Sequence, residues 1–197
     1  MIAESRTSFV NQLIGDRPVP RLVWQVLFAV VGTAILAISA KTKVMLGPVD
    51  LSLQTLAVFL IGAAFGARLA AATVVLYLVE GMLGLPVFQG TPEKGIGLAY
   101  MMGPTAGYLA GFLVAAVVVG WAADRGLDRR IPTFAAAVLL AEVAILGLGF
   151  AWLSTLIGME KAWQFGVAPF IVADLIKVAL AALLAPACWV VFSLIRR

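Results

Sequence analysis

The chain is 197 residues long, 63% hydrophobic and 12% charged, with a net charge of +4 and a mean hydropathy of +1.07. An ordinary soluble domain is about 45–50% apolar and about 25% charged, so this composition excludes a soluble globule and points to a single bundle of transmembrane helices. The chain has no histidine, which removes the commonest metal ligand and general base, and its single cysteine, Cys188, excludes an intrachain disulfide.

The N-terminal stretch MIAESRTSFVNQLIGDRPVP has mixed charges and no continuous apolar run, so it does not read as a signal peptide. It is read as a cytoplasmic segment, residues 1–21, with a weak amphipathic signal around residues 9–14, ahead of one transmembrane domain, residues 22–197. A membrane helix needs about 20 mostly apolar residues to cross a core about 30 Å thick. Six such segments follow in order. The first covers residues 22–40. The second, 51–65, is short, and Gly66, Ala67 and Arg68 turn it tightly into the third, 69–83. The fourth covers 105–123, the fifth 133–156 and the sixth 165–194, with a kink expected at Pro186. The apolar runs are too long and too continuous for strands. The fold class is therefore an all-α integral membrane protein with a six-helix bundle.

Lysine and arginine orient it. With the N-terminus in the cytoplasm, Arg6, Arg17, Arg21, Arg68, Arg125, Arg129, Arg130, Arg196 and Arg197 all lie inside. Lys41, Lys43, Lys94 and Lys161 lie outside, and Lys177 is intramembrane. That asymmetry places both termini in the cytoplasm. The positive charge is thus a membrane-topology signal, and no nucleic-acid partner is expected. The outer connection over residues 85–102 is long, glycine-rich and apolar. Such a loop folds back on the bundle as a re-entrant segment or lid, because membrane-depth backbone without helix must be buried or line a cavity.

Asp174 and Lys177 stand inside the apolar run PFIVADLIKVALAALLAP, three residues apart and so on one helix face. If the sixth helix starts near Phe165, Asp174 lies roughly 13 Å deep. Two readings are open: an ion pair that neutralises itself, or a polar site facing a cavity, and intramembrane ionisable groups usually mark a ligand or ion path. Glu142, mid-helix in the fifth segment, either joins that cavity or bonds between helices. Glu80 is placed to reach the surface. Gln54 and Thr55 either open the second helix or belong to the site. Tyr77, Trp152 and Trp163 read as core or interfacial aromatics. Ala29, Thr33 and Ala37, four apart with Gly32 beside them, form a small-residue face suited to internal packing or to docking a partner. The sequence contains no G-x-x-x-x-G-K-[ST] and no H-E-x-x-H, so no P-loop and no zincin site is expected.

The stretches GPVDLSLQTLAVFLIGAAFGAR, LYLVEGMLGLPVFQG, GPTAGYLAGF and PFIVADLIKVALAA resemble the BioY family, the biotin-specific S component of energy-coupling-factor (ECF) transporters, in the same order over most of the chain. The resemblance implies a six-helix S-component fold in a bacterial cytoplasmic membrane and a biotin site open to the outside. It also implies docking to a transmembrane coupling subunit that carries two ATPase subunits, with no cofactor of its own and ATP used only by the partners. Asp174 and Lys177 match the family's aspartate and lysine that contact the bicyclic head of biotin. Thr105, Gly107 and Tyr108 match the glycine-rich start of its fourth helix, with Gly103 and Pro104. Ala106 and Ala173 replace glycines, and Leu109 stands where some members carry an arginine. The partner of the biotin carboxylate is therefore sought among Gln89, Thr91 and Lys94. Phe88 and Tyr100 are expected over the biotin tail, Gln54 in the site, and Ala29, Thr33 and Ala37 on the partner-docking face. The alternatives are an S component for another vitamin, or a membrane-embedded enzyme using Asp174, Lys177 and Glu142.

Overall fold

The computed structural model describes residues 8–10, 20–44 and 49–195. Most of the N-terminal segment, part of the first outer connection, and Arg6, Arg17, Arg196 and Arg197 lie outside the described residues. Helix α1 (Arg21–Lys41) leads into a two-stranded antiparallel ribbon, β1 (Lys43–Val44) with β2 (Leu51–Ser52), in register Lys43 to Ser52. Helix α2 spans Gln54–Met82, a short helix α3 Gly97–Met101, and α4 Ala106–Asp124. A 3₁₀ turn over Leu127–Arg129 precedes α5 (Ile131–Ile157), α6 (Met159–Gly166) and α7 (Ile171–Ile195).

Helix α2 is two membrane segments in one. Gly66 has φ 75° and ψ 170°, a backbone that favours glycine. In a straight helix Gln54 and Tyr77 would stand roughly 34 Å apart. Instead the Gln54 amide donates to the Tyr77 hydroxyl at 2.6 Å, so the two limbs form a hairpin that turns at Gly66, as the Gly-Ala-Arg signal predicts. Among the described residues five helices are long and apolar enough to span a membrane, and the folded α2 makes six segments of them.

Helix α4 is the hub. A Cβ on Gly107 would lie 2.2 Å from the Leu148 carbonyl oxygen, and one on Gly111 would lie 2.7 Å from the Ile145 Cα, so these glycines let α5 approach backbone to backbone. Gly120 does the same for Ala67 at the other end of α4. Helix α1 lies on the outside and crosses α2 at Gly32, against Thr73 and Phe65.

Three expectations change. The first outer connection contains a short ribbon where no strand was expected. Leu51 and Ser52 belong to it, so the second segment starts at Gln54. The sixth segment is broken: Gly158, with φ 85°, ends α5, the separate helix α6 follows, and a turn at 167–170 containing Pro169 restarts the chain as α7. Proline cannot donate a backbone hydrogen bond within a helix, whereas Pro186 is carried inside α7 without ending it.

Candidate functional site

The restart of α7 fixes the position of the charged pair. The Asp174 amide donates to the Phe170 carbonyl at 2.8 Å, so Asp174 sits in the first turn of α7 and not two turns inside a longer helix. The depth expected from a start at Phe165 is corrected accordingly. A helix N-terminus stabilises a carboxylate, and Lys177, one turn on, donates to Asp174 Oδ1 at 2.8 Å. Both remain enclosed, Asp174 at 2% and Lys177 at 5% exposure.

The pair opens on a partly enclosed cavity between the helices. Helix α5 contributes Glu142 and Ile145, α4 contributes Tyr108, Leu109 and Phe112, and the turn before α7 contributes Phe170. Gln54 and Thr55 come from the start of α2, Ser52 from β2 and Asp50 from just before it, and Gln89, Tyr100 and Thr105 from the connection between α2 and α4. The wall surface is thus mainly aromatic and aliphatic, with nine polar or charged residues set into it. The Tyr108 hydroxyl donates to the Gly166 carbonyl at 2.7 Å, which ties α4 to the end of α6. Burial pushes the Tyr100 phenol above its ordinary range, so it stays neutral.

The 85–102 connection lies over the mouth, where Gln89 and Tyr100 line the cavity. Phe88 fills the gap left by Gly81 and lies edge-on to Tyr77 at 5.3 Å and stacked on Tyr100 at 5.1 Å. Lysines at the end of α1 and in β1, with one of its own, hold this loop. Lys41 donates to the carbonyls of Phe88 (3.0 Å) and Thr91 (2.7 Å) and to the Thr91 hydroxyl (3.1 Å). Lys43 donates to the Gln89 carbonyl at 2.8 Å and lies 3.8 Å from Asp50 and 3.9 Å from Glu93. Lys94 pairs with Asp50 at 2.8 Å, and the Gln89 amide donates to the Asp50 carbonyl.

Of the residues singled out in the sequence, Asp174, Lys177, Tyr108, Gln54, Gln89, Tyr100 and Thr105 line the cavity. Phe88, Thr91 and Lys94 belong to the loop that covers it, and Gly107 packs on α5 behind it. Glu142 and Thr55 take their cavity alternatives, and Glu80 accepts from Thr33 at 3.0 Å. The docking stripe is turned inward: Ala29, Gly32 and Thr33 are buried against the bundle and Ala37 is half-buried. Sequence reasoning missed Asp50 and the grip of Lys41 and Lys43. A single carboxylate in an outer connection that also carries Lys41 and Lys43 was the available signal for Asp50. The carbonyl partners of the lysines lie 46 to 50 residues away and left none. Among the described residues no group of three or more His, Cys, Asp or Glu could hold a metal ion.

The chain resembles known proteins over nearly its whole length. The profile of the BioY family matches residues 11–194. A protein of Pyrococcus horikoshii named probable biotin transporter BioY is 36% identical over 152 residues, 77% of this chain and 88% of that one. The biotin transporter BioY of Thermotoga maritima is 35% identical over 162 residues, 82% of this chain and 93% of its own. The biotin transporter BioY of Rhizobium etli is 34% identical over 180 residues, 86% and 95% of the two chains. A crystal structure of the S-component for biotin from an ECF-type ABC transporter superposes with a TM-score of 0.74 and 22% identity, covering 85% of this chain and 92% of that one. With a six-segment bundle, a buried carboxylate–ammonium pair under a covered mouth and a match across residues 11–194, the chain belongs to the BioY family.

Proposed function

We propose that this protein is the substrate-binding S component of a vitamin uptake system and that its ligand is biotin. The observation that carries the reading is the buried Asp174–Lys177 pair facing a partly enclosed, largely apolar cavity in a BioY chain. A cyclic urea offers two N–H donors and one carbonyl acceptor, which suit a carboxylate and an ammonium. The apolar walls suit the thiolane ring and the aliphatic tail. The tail then runs toward the mouth, where Gln89 and Lys94 stand nearest its carboxylate, while the Thr91 hydroxyl is taken up by Phe88 and Lys41.

Arg68, Arg125, Arg129 and Arg130 gather at the end where α2 turns and α4 finishes, opposite the mouth. The positive-inside rule puts that end in the cytoplasm of a bacterial cell membrane and opens the cavity to the outside. Uptake against a gradient needs a coupling subunit and two ATPase subunits, because the sequence has no P-loop. The partner docks along α1, the outermost helix. Its small-residue stripe faces inward, so the surface offered is the neighbouring stripe with Val26, Val30 and Ile38, reached at its edge by Ala37. The relatives' names speak for transport and not catalysis, so Asp174, Lys177 and Glu142 are read as binding groups.

Calorimetry on the purified chain tests this. One biotin per chain, no consumption of ligand, no ATP hydrolysis and no heat with unrelated vitamins are expected. Absence of biotin binding, or tighter binding of another vitamin, would overturn the reading.

A further inference from the structure

Glu142 sits in the middle of α5, 4% exposed, with both carboxyl oxygens buried and without a donor from the protein. A buried polar group without a partner is costly and rare in native structures. The cavity walls do not supply the missing donor. Tyr108 donates to Gly166, the Gln54 amide to Tyr77, the Gln89 amide to Asp50, and Lys177 to Asp174. The hydroxyls of Thr55 and Thr105 line the same cavity, but neither donates to Glu142. The charged groups that face Glu142 are Asp174 and Lys177 on the neighbouring helix α7. Three ionisable side chains from two packed helices therefore converge on one enclosed space, and one of them still lacks its donor.

The chemistry of the ligand fits that imbalance. The two N–H bonds of a cyclic urea diverge, one on each side of the carbonyl, so a single carboxylate cannot accept both along good lines. Recognition of all three polar atoms takes an acceptor, a donor and a second acceptor. We propose that Glu142 is this second acceptor: it takes one ring N–H of the urea, Asp174 takes the other, and Lys177 donates to the urea carbonyl. A carboxyl group has an accepting oxygen whether or not it is protonated, so the assignment does not depend on the charge of Glu142. The inference rests on the biotin reading and makes Glu142 a specificity-determining residue, since a site built to accept an N–H rejects the analogue that lacks it.

The test uses biotin and two cyclic carbamates, each with one ring N–H replaced by oxygen, titrated against the wild-type chain and Glu142→Leu, Glu142→Met and Glu142→Gln. The wild type is expected to bind both carbamates more weakly than biotin. In Glu142→Leu, biotin affinity falls about 10- to 100-fold, and the penalty for one carbamate disappears while that for the other persists. Glu142→Met, close to Glu in length, carries the same comparison if the Leu variant does not fold. Glu142→Gln, which keeps an accepting oxygen, recovers most of the affinity. Unchanged biotin affinity in the Leu or Met variant, or both carbamate penalties intact in it, would overturn the assignment. A wild-type chain that does not bind biotin at all would instead sink the functional reading on which it rests.

Discussion

At the arginine end of the bundle, Gly66 and Gly120 bring backbone against backbone: a Cβ on Gly120 would stand 2.5 Å from the Ala67 nitrogen and 2.6 Å from the Gly66 carbonyl carbon. Asp124 accepts from the Ala67 amide at 2.9 Å, capping the second limb of α2, and the Ser8 hydroxyl donates to the Phe65 carbonyl at 3.1 Å. At the mouth, the covering loop is held instead by the ends of lysine side chains, Lys41, Lys43 and Lys94. Opening the first end means repacking helices. Opening the second means rotating flexible lysines off carbonyl oxygens and drawing one anchor, Phe88, from between Tyr77 and Tyr100, with no helix repacked against another. The difference teaches that one bundle can hold one end, the seal, by backbone packing and the other by side chains, and it is at the side-chain end, the mouth, that we propose the ligand exchanges.

The sharpest way to break that comparison is to loosen the seal. In Gly66→Ala the new Cβ would meet Asp124 Oδ1 at 2.2 Å in a backbone that alanine resists. Strain and the displaced cap together are expected to destabilise the fold by about 3 kcal/mol. Thermal unfolding in detergent reads this as a lower midpoint, while biotin binding at low temperature stays within a few-fold of wild type. An unchanged midpoint would mean that the turn is soft and the two ends are alike.

The cavity pair comes next. Asp174→Asn and Lys177→Ala are each expected to weaken biotin binding by about 2 kcal/mol or more, because truncating one member of a desolvated charge pair leaves the other unpaired. Calorimetry on both variants decides it, and wild-type affinity in both would remove the pair from the site. The latch is weaker. Lys41→Met removes three hydrogen bonds to the loop but keeps most of the side-chain bulk. A loss of about 1 kcal/mol is expected as faster biotin release in a chase experiment, with little change in the unfolding midpoint. If the midpoint falls and the release rate does not, Lys41 is structural and the mouth is no easier to open than the seal.

Both ends were legible in the sequence to different depths. The spans could be read because lipid demands long apolar runs, and the hairpin because Gly66, Ala67 and Arg68 interrupt one such run. Asp174 and Lys177 stood out because nothing else near them is charged. The break before α7 was hidden by continuous hydrophobicity, although Gly166 and Pro169 signalled it. The stripe of Ala29, Thr33 and Ala37 misled because close helix approach needs the same small residues within a chain as between chains. The lysine grip could not be read at all, since it joins side chains to carbonyls far away in sequence, and a carbonyl carries no residue signature.

The smallest expected effect tests the motion itself. Thr91 is buried under Lys41, its hydroxyl donating to the Phe88 carbonyl at 2.7 Å. Cysteine is close to threonine in size, so Thr91→Cys is expected to leave the loop in place. Cys188 is exposed and would react on its own, so it is first replaced by alanine. A membrane-impermeant thiol reagent then reaches position 91 only while the loop stands open, and its labelling rate reports the open fraction. Without biotin, slow labelling from the mouth side is expected. Saturating biotin, which stabilises the closed form by its differential affinity, should slow it by about tenfold or more. Adding Lys41→Met should speed labelling in the absence of biotin and leave protection by biotin partly intact. Equal rates with and without biotin would mean that the 85–102 loop does not open for the ligand, and that the mouth, like the arginine end, is a fixed seal.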